Sequence, residues 1–343
     1  MSIKQRKKDH VDLTTSGQVD YQQTTGFERY RFVHDALPEV DMDDISTRTD
    51  LLGRSFSFPL FISSMTGGYT DAGAVNAIIA EFCEEYNLPF GVGSQRILLE
   101  NPEAVSSFAV VRKRAPGAFI AANIGGAQLA GGLPHEKVRI LIDSIEADAV
   151  IVHLNPLQEL MQPEGDRAFK GIQEGIAHLA EQCERPLIVK ETGAGISGEV
   201  ARRLLEAGAK VIDVAGAGGT SWAKVENKRK SNRSPQHQFD DWGIPTVDCL
   251  LQLTGLGETR PFEIIASGGI RSSQDIAKSL CLGADFAATA QPVITAVVEK
   301  GTEGLESLYH NWQRQLRMIL TLLGCEQIGE LKRRHLKLKH PER

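Results

Sequence analysis

The run HLNPLQELMQPEGD places His153, Asn155, Gln158 and Glu159 within seven positions. Period-two alternation along AVIVHLN puts Ile151, His153 and Asn155 on one face. With Ile151 turned to a core, His153 and Asn155 emerge where the run ends, and Gln158 and Glu159 follow just beyond. A lone histidine there is often structural, but four polar groups together point to a site. Glu159 is a hard oxygen ligand suited to Mg²⁺ shared with a substrate phosphate, although one carboxylate specifies no metal by itself. In PLIVKE, Ile188 and Lys190 share a face. A lysine ending an apolar run needs an anionic or acceptor partner, and a buried ion pair is the plainer reading.

Other segments suit anions. In ASGGIRSSQDI, Gly268 and Gly269 allow a tight turn and close backbone approach, and the helix opening after them offers free N–H groups. ADFAATAQP supplies a second edge, with Ala290 small enough for close contact. GAGGTSW is another glycine-rich loop, in which Thr220 offers a hydroxyl. The stretch AKVENKRKSNRSPQHQFDDWG after it is long and polar without an apolar period, and reads as a lid loop. GVGSQR carries Ser94 and Arg96, the latter suited to bidentate phosphate binding. Asn123 and the Met65–Gly68 stretch end two further apolar runs. RKKDH contributes Arg6, Lys7, Lys8 and His10, alone a solvated basic arm.

These residues need elements to carry them. From about residue 59, eight short apolar runs alternate with helical patterns. Strands alternating with helices imply parallel pairing and right-handed crossovers. Runs such as VIV, LIV and EII are apolar on both faces, as strands between core and helices must be. The expected fold is a (β/α)₈ TIM barrel over 59–343 with an additional C-terminal helix, an open doubly wound sheet being the competitor. Residues 1–58 form an N-terminal extension expected to pack on the barrel mouth. In such barrels the chemistry gathers at the C-terminal strand ends, with phosphate after the seventh and eighth strands.

Composition bounds the rest. With 343 residues, 41% hydrophobic and 24% charged, the chain needs no disulfide or metal to support its core. Five cysteines, odd in number and without a CxxC pair, fit free thiols in a reducing cytoplasm. No run reaches eighteen apolar residues, and the basic N-terminus has no apolar stretch behind it. A net charge of −6 argues against nucleic acid as a partner, and the basic KRRHLKLKH segment reads as a solvated tail.

Taken together, the segments resemble the type 2 isopentenyl-diphosphate isomerases, which use reduced FMN, over nearly the whole chain. The carriers are R-K-x-x-H at Arg6, Lys7 and His10, MTGG at Met65 to Gly68, and GSQR at Gly93 to Arg96. They continue with HLNPLQE-x(3)-PEGD from His153 to Asp166, VKETG from Val189 to Gly193, GGTSW-x(3)-E from Gly218 to Glu226, and ASGGIR from Ala266 to Arg271. HLNPLQE is the most specific; ASGGIR occurs across many phosphate-binding barrels. The resemblance implies that Met65, Thr66, Gly67, Ser94, Asn123, Lys190 and Thr220 hold FMN, with Lys190 set against negative charge on the reduced ring. It implies that Gly268, Gly269, Arg271, Ala290 and Gln291 surround the FMN phosphate. Arg6, Lys7, His10, Ser94, Arg96, His153 and Asn155 would grip the substrate diphosphate, Glu159 would hold Mg²⁺ against it, and Gln158 would lie beside the reacting alkene. Two positions depart from many relatives: Gln291 replaces arginine and Ala215 replaces serine, so phosphate contacts there fall to the backbone.

The implied reaction converts isopentenyl to dimethylallyl diphosphate, with NADPH supplying the reduced flavin and a homotetramer or larger assembly expected. A cysteine acid is unexpected, because no cysteine ends a strand. A 2-hydroxyacid oxidase would need a histidine in the loop after the sixth strand, and an IMP-dehydrogenase-like enzyme a cysteine; AGAGGTSW has neither. A non-catalytic flavin- or phosphate-binding barrel leaves Gln158 and Glu159 without a purpose.

Overall fold

The computed structural model describes residues 3–64, 72–229, 235–256 and 261–339, with side chains from residue 9 onward apart from Pro102. The N-terminal extension carries helix α1 (Ile3–Thr15) and strands β1 (Tyr30–Phe32), β2 (Thr49–Leu51) and β3 (Arg54–Phe56). Then follow β4 (Leu60–Ile62), α2 (Ala72–Tyr86), β5 (Phe90–Gly91), α3 (Arg96–Glu100), α4 (Ser106–Arg114), β6 (Ile120–Gly125), α5 (Gly126–Leu129) and α6 (His135–Asp143). Next come β7 (Ala149–Leu154), α7 (Pro156–Met161), α8 (Ile172–Gln182), β8 (Leu187–Glu191), α9 (Gly198–Glu206), β9 (Val211–Asp213) and α10 (Trp222–Arg229). The chain continues through α11 (Thr246–Thr254), β10 (Glu263–Ala266), α12 (Ser273–Cys281), β11 (Phe286–Thr289), α13 (Gln291–Leu322) and β12 (Leu336–Leu338).

Strands β4 to β11 form one closed parallel barrel, with β11 pairing back onto β4 through Ala288 and Phe61. The expected (β/α)₈ barrel is therefore the fold. Alternation along each strand divides two cores. Ala149, Ile151 and Ile188 pack inside with Phe61, Ala121, Val211, Ile265 and Ala288, whereas Val150, Val152 and Val189 face the helices. Both faces are apolar because both are covered.

The hairpin β2–β3 adds to the inner core. Leu51 and Phe56 are fully buried in it, and Phe56 meets Phe119 and Phe286 edge-on at 5.8 and 5.7 Å. Burying a phenylalanine contributes about 1.5–3 kcal/mol. The N-terminal end of the barrel is filled in this way, and the site must lie at the other end.

Two segments differ from the sequence reading. The lid segment is not all loop: Trp222–Arg229 is helical, and a 3₁₀ turn follows at His237–Phe239. Its helix showed no apolar period because polar Glu226 and Asn227 are among its buried residues. The basic C-terminal segment is not a free tail either. β12 pairs antiparallel with β1, and Arg333 stacks over the Tyr30 ring at 4.8 Å. The eighth barrel helix and the C-terminal helix, expected as two, meet within α13 at Gly301, where φ is +60° and the backbone is not helical. No described helix is long and apolar enough to cross a membrane.

Candidate active site at the barrel mouth

The glycine-rich loops after β9 and β10 lean on each other. Gly268 has φ +95° and Gly269 φ +74°, a region open to glycine. A Cβ on Gly268 would sit 2.0 Å from the Gly216 carbonyl oxygen, and one on Gly219 would sit 2.6 Å from the Gly269 nitrogen. The extension seals the outer side: a Cβ on Gly269 would lie 2.4 Å from Thr25 Cγ2, and Asp20 and Tyr21 pair with Thr220 and Gly219. Behind this lip α12 begins, with the Ser272 hydroxyl accepting from Asp275 N. The lip borders a cavity that opens to solvent at the barrel mouth. His10, Lys190, Thr220, Gly268, Gly269, Arg271, Ala290 and Gln291 all line it. A bare backbone rim between two helix N-termini is what a phosphate monoester requires.

Lys190 ends β8 in a buried position. Its ammonium donates to the Glu191 carbonyl at 2.6 Å and stands 3.7 Å from Asp213 Oδ2. The Glu191 carboxylate accepts from the N–H groups of Thr192, Gly193 and Ala194. Burial raises its pKa above the ordinary carboxylate range, opposed by those three donors and by the Lys190 charge. The turn so formed presents the Thr192 carbonyl to Trp222 Nε1 at 3.0 Å.

A second group of side chains occupies the ends of β5, β6 and β7. His153 Nδ1 lies 2.8 Å from Asn123 Oδ1, and Asn123 donates to the Val92 carbonyl. Gln95 braces the pair, accepting from Asn123 N while donating to Ser144 Oγ and the Leu141 carbonyl. Asn155 donates to Gln158 Oε1 and to Glu159 Oε1, each at 3.1 Å. Glu159 Oε2 accepts from Asp166 N at 2.7 Å, and Asp166 Oδ2 takes both Arg96 and Gln128 at 2.9 Å. Asn155, Gln158, Glu159, Asp166 and Arg96 thus form one connected chain. Among the described residues no cluster of three acidic, histidine or cysteine side chains forms a ready metal cage. Glu159 with phosphate oxygens and water is a donor set of the kind Mg²⁺ accepts.

Helices α1 and α10 bridge the two groups. His10 Nε2 meets Glu226 Oε1 at 2.9 Å, and its ring packs edge-on to Trp222 at 4.9 Å. Glu226 is fully buried and pairs with Arg229, which also reaches Glu164 at 3.3 Å and Asp9 at 3.9 Å. Arg271 pairs with Asp20 at 2.7 Å.

The structure brings together the phosphate-loop residues, Lys190, Thr220 and His10 in one cavity. Asn123, His153, Asn155, Gln158, Glu159 and Arg96 fall in the adjoining network, and Ser94 lies between β5 and α3. Arg6 and Lys7 lie on α1, which puts them near the mouth, but their side chains are outside the described set. Met65, Thr66 and Gly67 also lie outside the described residues. Sequence reasoning passed over Asp213, Ser267, Trp222, Gln128, Asp166 and Arg229. Asp166, Trp222 and Ser267 stood inside quoted motifs; Asp213 had a signal of its own, an acid within an apolar run.

Comparison with known proteins agrees with this geometry. Residues 5–112 and 150–338 match the FMN-dependent dehydrogenase family. An isopentenyl-diphosphate delta-isomerase of Chlorobium luteolum is 47% identical over 344 residues, covering 96% of this chain and 94% of that protein. One from a Nostoc species is 43% identical over 331 residues, covering 95% and 93%. In fold alone, a flavocytochrome b2 mutant superposes with a TM-score of 0.70 at 19% identity, over 96% of this chain and 83% of that one. An (S)-mandelate dehydrogenase mutant gives 0.68 at 15% identity, over 98% of both chains.

Proposed function

This chain belongs to the isopentenyl-diphosphate delta-isomerase family, and we propose that it interconverts isopentenyl and dimethylallyl diphosphate at this mouth with reduced FMN. The observation that carries the reading is the pairing of two different sites at one barrel end. A glycine-lipped cavity with a buried lysine suits a flavin phosphate and ring, and a polar chain from Arg96 to Gln158 suits a diphosphate and its alkene.

The reaction adds a proton to the terminal alkene carbon and removes one from the neighbouring methylene, with no net oxidation. When bound, reduced FMN supplies an electron-rich ring that can exchange a proton and face a developing carbocation. The residues do the rest. Gly268, Gly269, Ala290 and Gln291 border the FMN phosphate with backbone donors, and Arg271 adds charge. Lys190 faces negative charge on the ring. Arg96, His153, Asn155 and His10, with Arg6 and Lys7, take the diphosphate, and Glu159 shares Mg²⁺ with it. Asn155 fixes the Gln158 amide by its oxygen, so Gln158 can orient or relay a proton. A cysteine acid has no place here: no cysteine lines the cavity, and burial pushes Cys249 and Cys281 up to about 12. Among the lining residues the one histidine, His10, comes from α1 and not from the loop after β9, where a hydroxyacid oxidase keeps its base. NADPH as reductant, a homotetrameric or larger assembly and a cytoplasmic setting complete the reading.

The test is an anaerobic assay with isopentenyl diphosphate, FMN and Mg²⁺, with and without NADPH, following dimethylallyl diphosphate by NMR. Product in the reduced sample alone, without stoichiometric NADPH consumption, is the expected result. Equal turnover by fully oxidised enzyme rules the flavin role out.

A further inference from the structure

We propose that Asp213 is a positioning residue for Lys190 that sets how much positive charge the cavity wall presents to a bound flavin. The inference rests on the flavin reading of the cavity above. Asp213 ends β9 and stands directly beside Lys190 in strand register. Both side chains are buried, 4% and 9% exposed, and Lys190 Nζ lies 3.7 Å from Asp213 Oδ2. The other acid nearby, Glu191, is taken up by its three backbone donors. Glu191 still feels the Lys190 charge, but Asp213 is the carboxylate within ion-pair distance of the ammonium.

The other oxygen of Asp213 is also engaged. Oδ1 accepts the Ser267 hydroxyl and, at 3.3 Å, the N–H of Ala215. Ser267 begins the phosphate loop and lines the cavity. Ala215 lines it too, and has φ +37°, a conformation that a residue with a Cβ resists. Asp213 therefore ties three strand ends together beneath the cavity: the cation on β8, the strained residue after β9, and the loop after β10. Flavin reduction adds negative charge, which a wall cation stabilises. A buried carboxylate on that cation cancels part of its field, and the Ser267 hydroxyl in turn moderates the carboxylate.

The signs follow. Asp213→Asn keeps the shape and removes the negative charge, so it raises the preference for reduced over oxidised FMN. Ser267→Ala leaves the carboxylate less moderated, so it lowers that preference. A merely structural disturbance has no reason to move the two variants in opposite directions.

The experiment is an anaerobic redox titration of the FMN-loaded protein against a reference dye. Asp213→Asn should raise the reduced-to-oxidised affinity ratio at least tenfold, about 30 mV for a two-electron couple. Ser267→Ala should shift it the other way, and Asp213→Glu should stay near wild type. The effect of Asp213→Asn should shrink in a Lys190→Gln background, since it acts through that lysine. Shifts of the same sign in Asp213→Asn and Ser267→Ala overturn the inference, as do unmoved potentials. Should Asp213→Asn fail to fold, an unmoved Ser267→Ala overturns it alone. A wild-type protein that takes up no FMN overturns the flavin reading as well; a flavin-binding wild type with unmoved variants overturns this inference only.

Discussion

Gly268 shows how little freedom single positions at the mouth have. A methyl group there would overlap a backbone carbonyl oxygen, and φ +95° disfavours it in any case. Gly268→Ala should cost about 1–3 kcal/mol from the backbone conformation alone, and should abolish retention of FMN through gel filtration. Gly329→Ala, where nothing lies within 4 Å of the new methyl, is the matching control. Urea unfolding and flavin titration of the two variants check both statements, and equal behaviour contradicts them. The glycines were legible because the adjacent pair in ASGG has few other uses. Lys190 was legible because an ammonium ending an apolar run needs a reason. Its pairing with Asp213 was not: the two lie 23 positions apart in sequence, and only the parallel pairing of β8 with β9 makes them neighbours.

At the scale of elements, α10 decides where α1 rests. Arg229 gathers Glu226, Glu164 and Asp9, and His10 meets the same Glu226. Removing one partner of a buried ion pair typically costs about 3–5 kcal/mol. Arg229→Ala should therefore loosen α1 from the mouth. Trypsin should cut sooner in the Arg6–Lys8 cluster, and KM for isopentenyl diphosphate should rise at least tenfold while the barrel stays folded. Unchanged proteolysis and KM refute the coupling. Sequence patterning reads helices from an apolar stripe, and α10 instead buries carboxylate and amide groups satisfied by other elements. The eight strand–helix units lacked this difficulty: apolar strands covered on both faces announce themselves.

At the scale of the molecule, the barrel followed from its periodicity, but the packing of its termini did not. His335 belongs to the C-terminal segment and accepts from Lys332 N at 3.0 Å through Nδ1. Burial lowers its pKa, with Arg334 and Lys332 pushing the same way and Glu330 opposing. The folded protein thus prefers the neutral ring. That contribution is complete above the unfolded value of about 6.5 and is lost as pH falls below it. Thermal melting should accordingly show His335→Gln less stable than wild type at pH 7.5, with the gap narrowing at pH 5.5. A gap that is constant across this range contradicts the assignment. The basic composition of the segment suggested solvent, whereas Leu336 and the Arg333–Tyr30 stacking hold it on the surface of the barrel.

The β1–β12 ribbon joins Tyr30 to Leu338 and so closes a loop of nearly the whole polypeptide. Barrel closure between β4 and β11 imposes the same order. In the order of synthesis, β1 therefore has no strand partner until residues 336–338 have been made. Strands β4 to β7 can begin to pair while translation continues, but the extension cannot seal the glycine lip until the loops after β9 and β10 have been made. A nascent chain halted before β12 holds the mouth residues without the β1–β12 ribbon. The lip and its cover therefore come together only after most of the barrel strands exist.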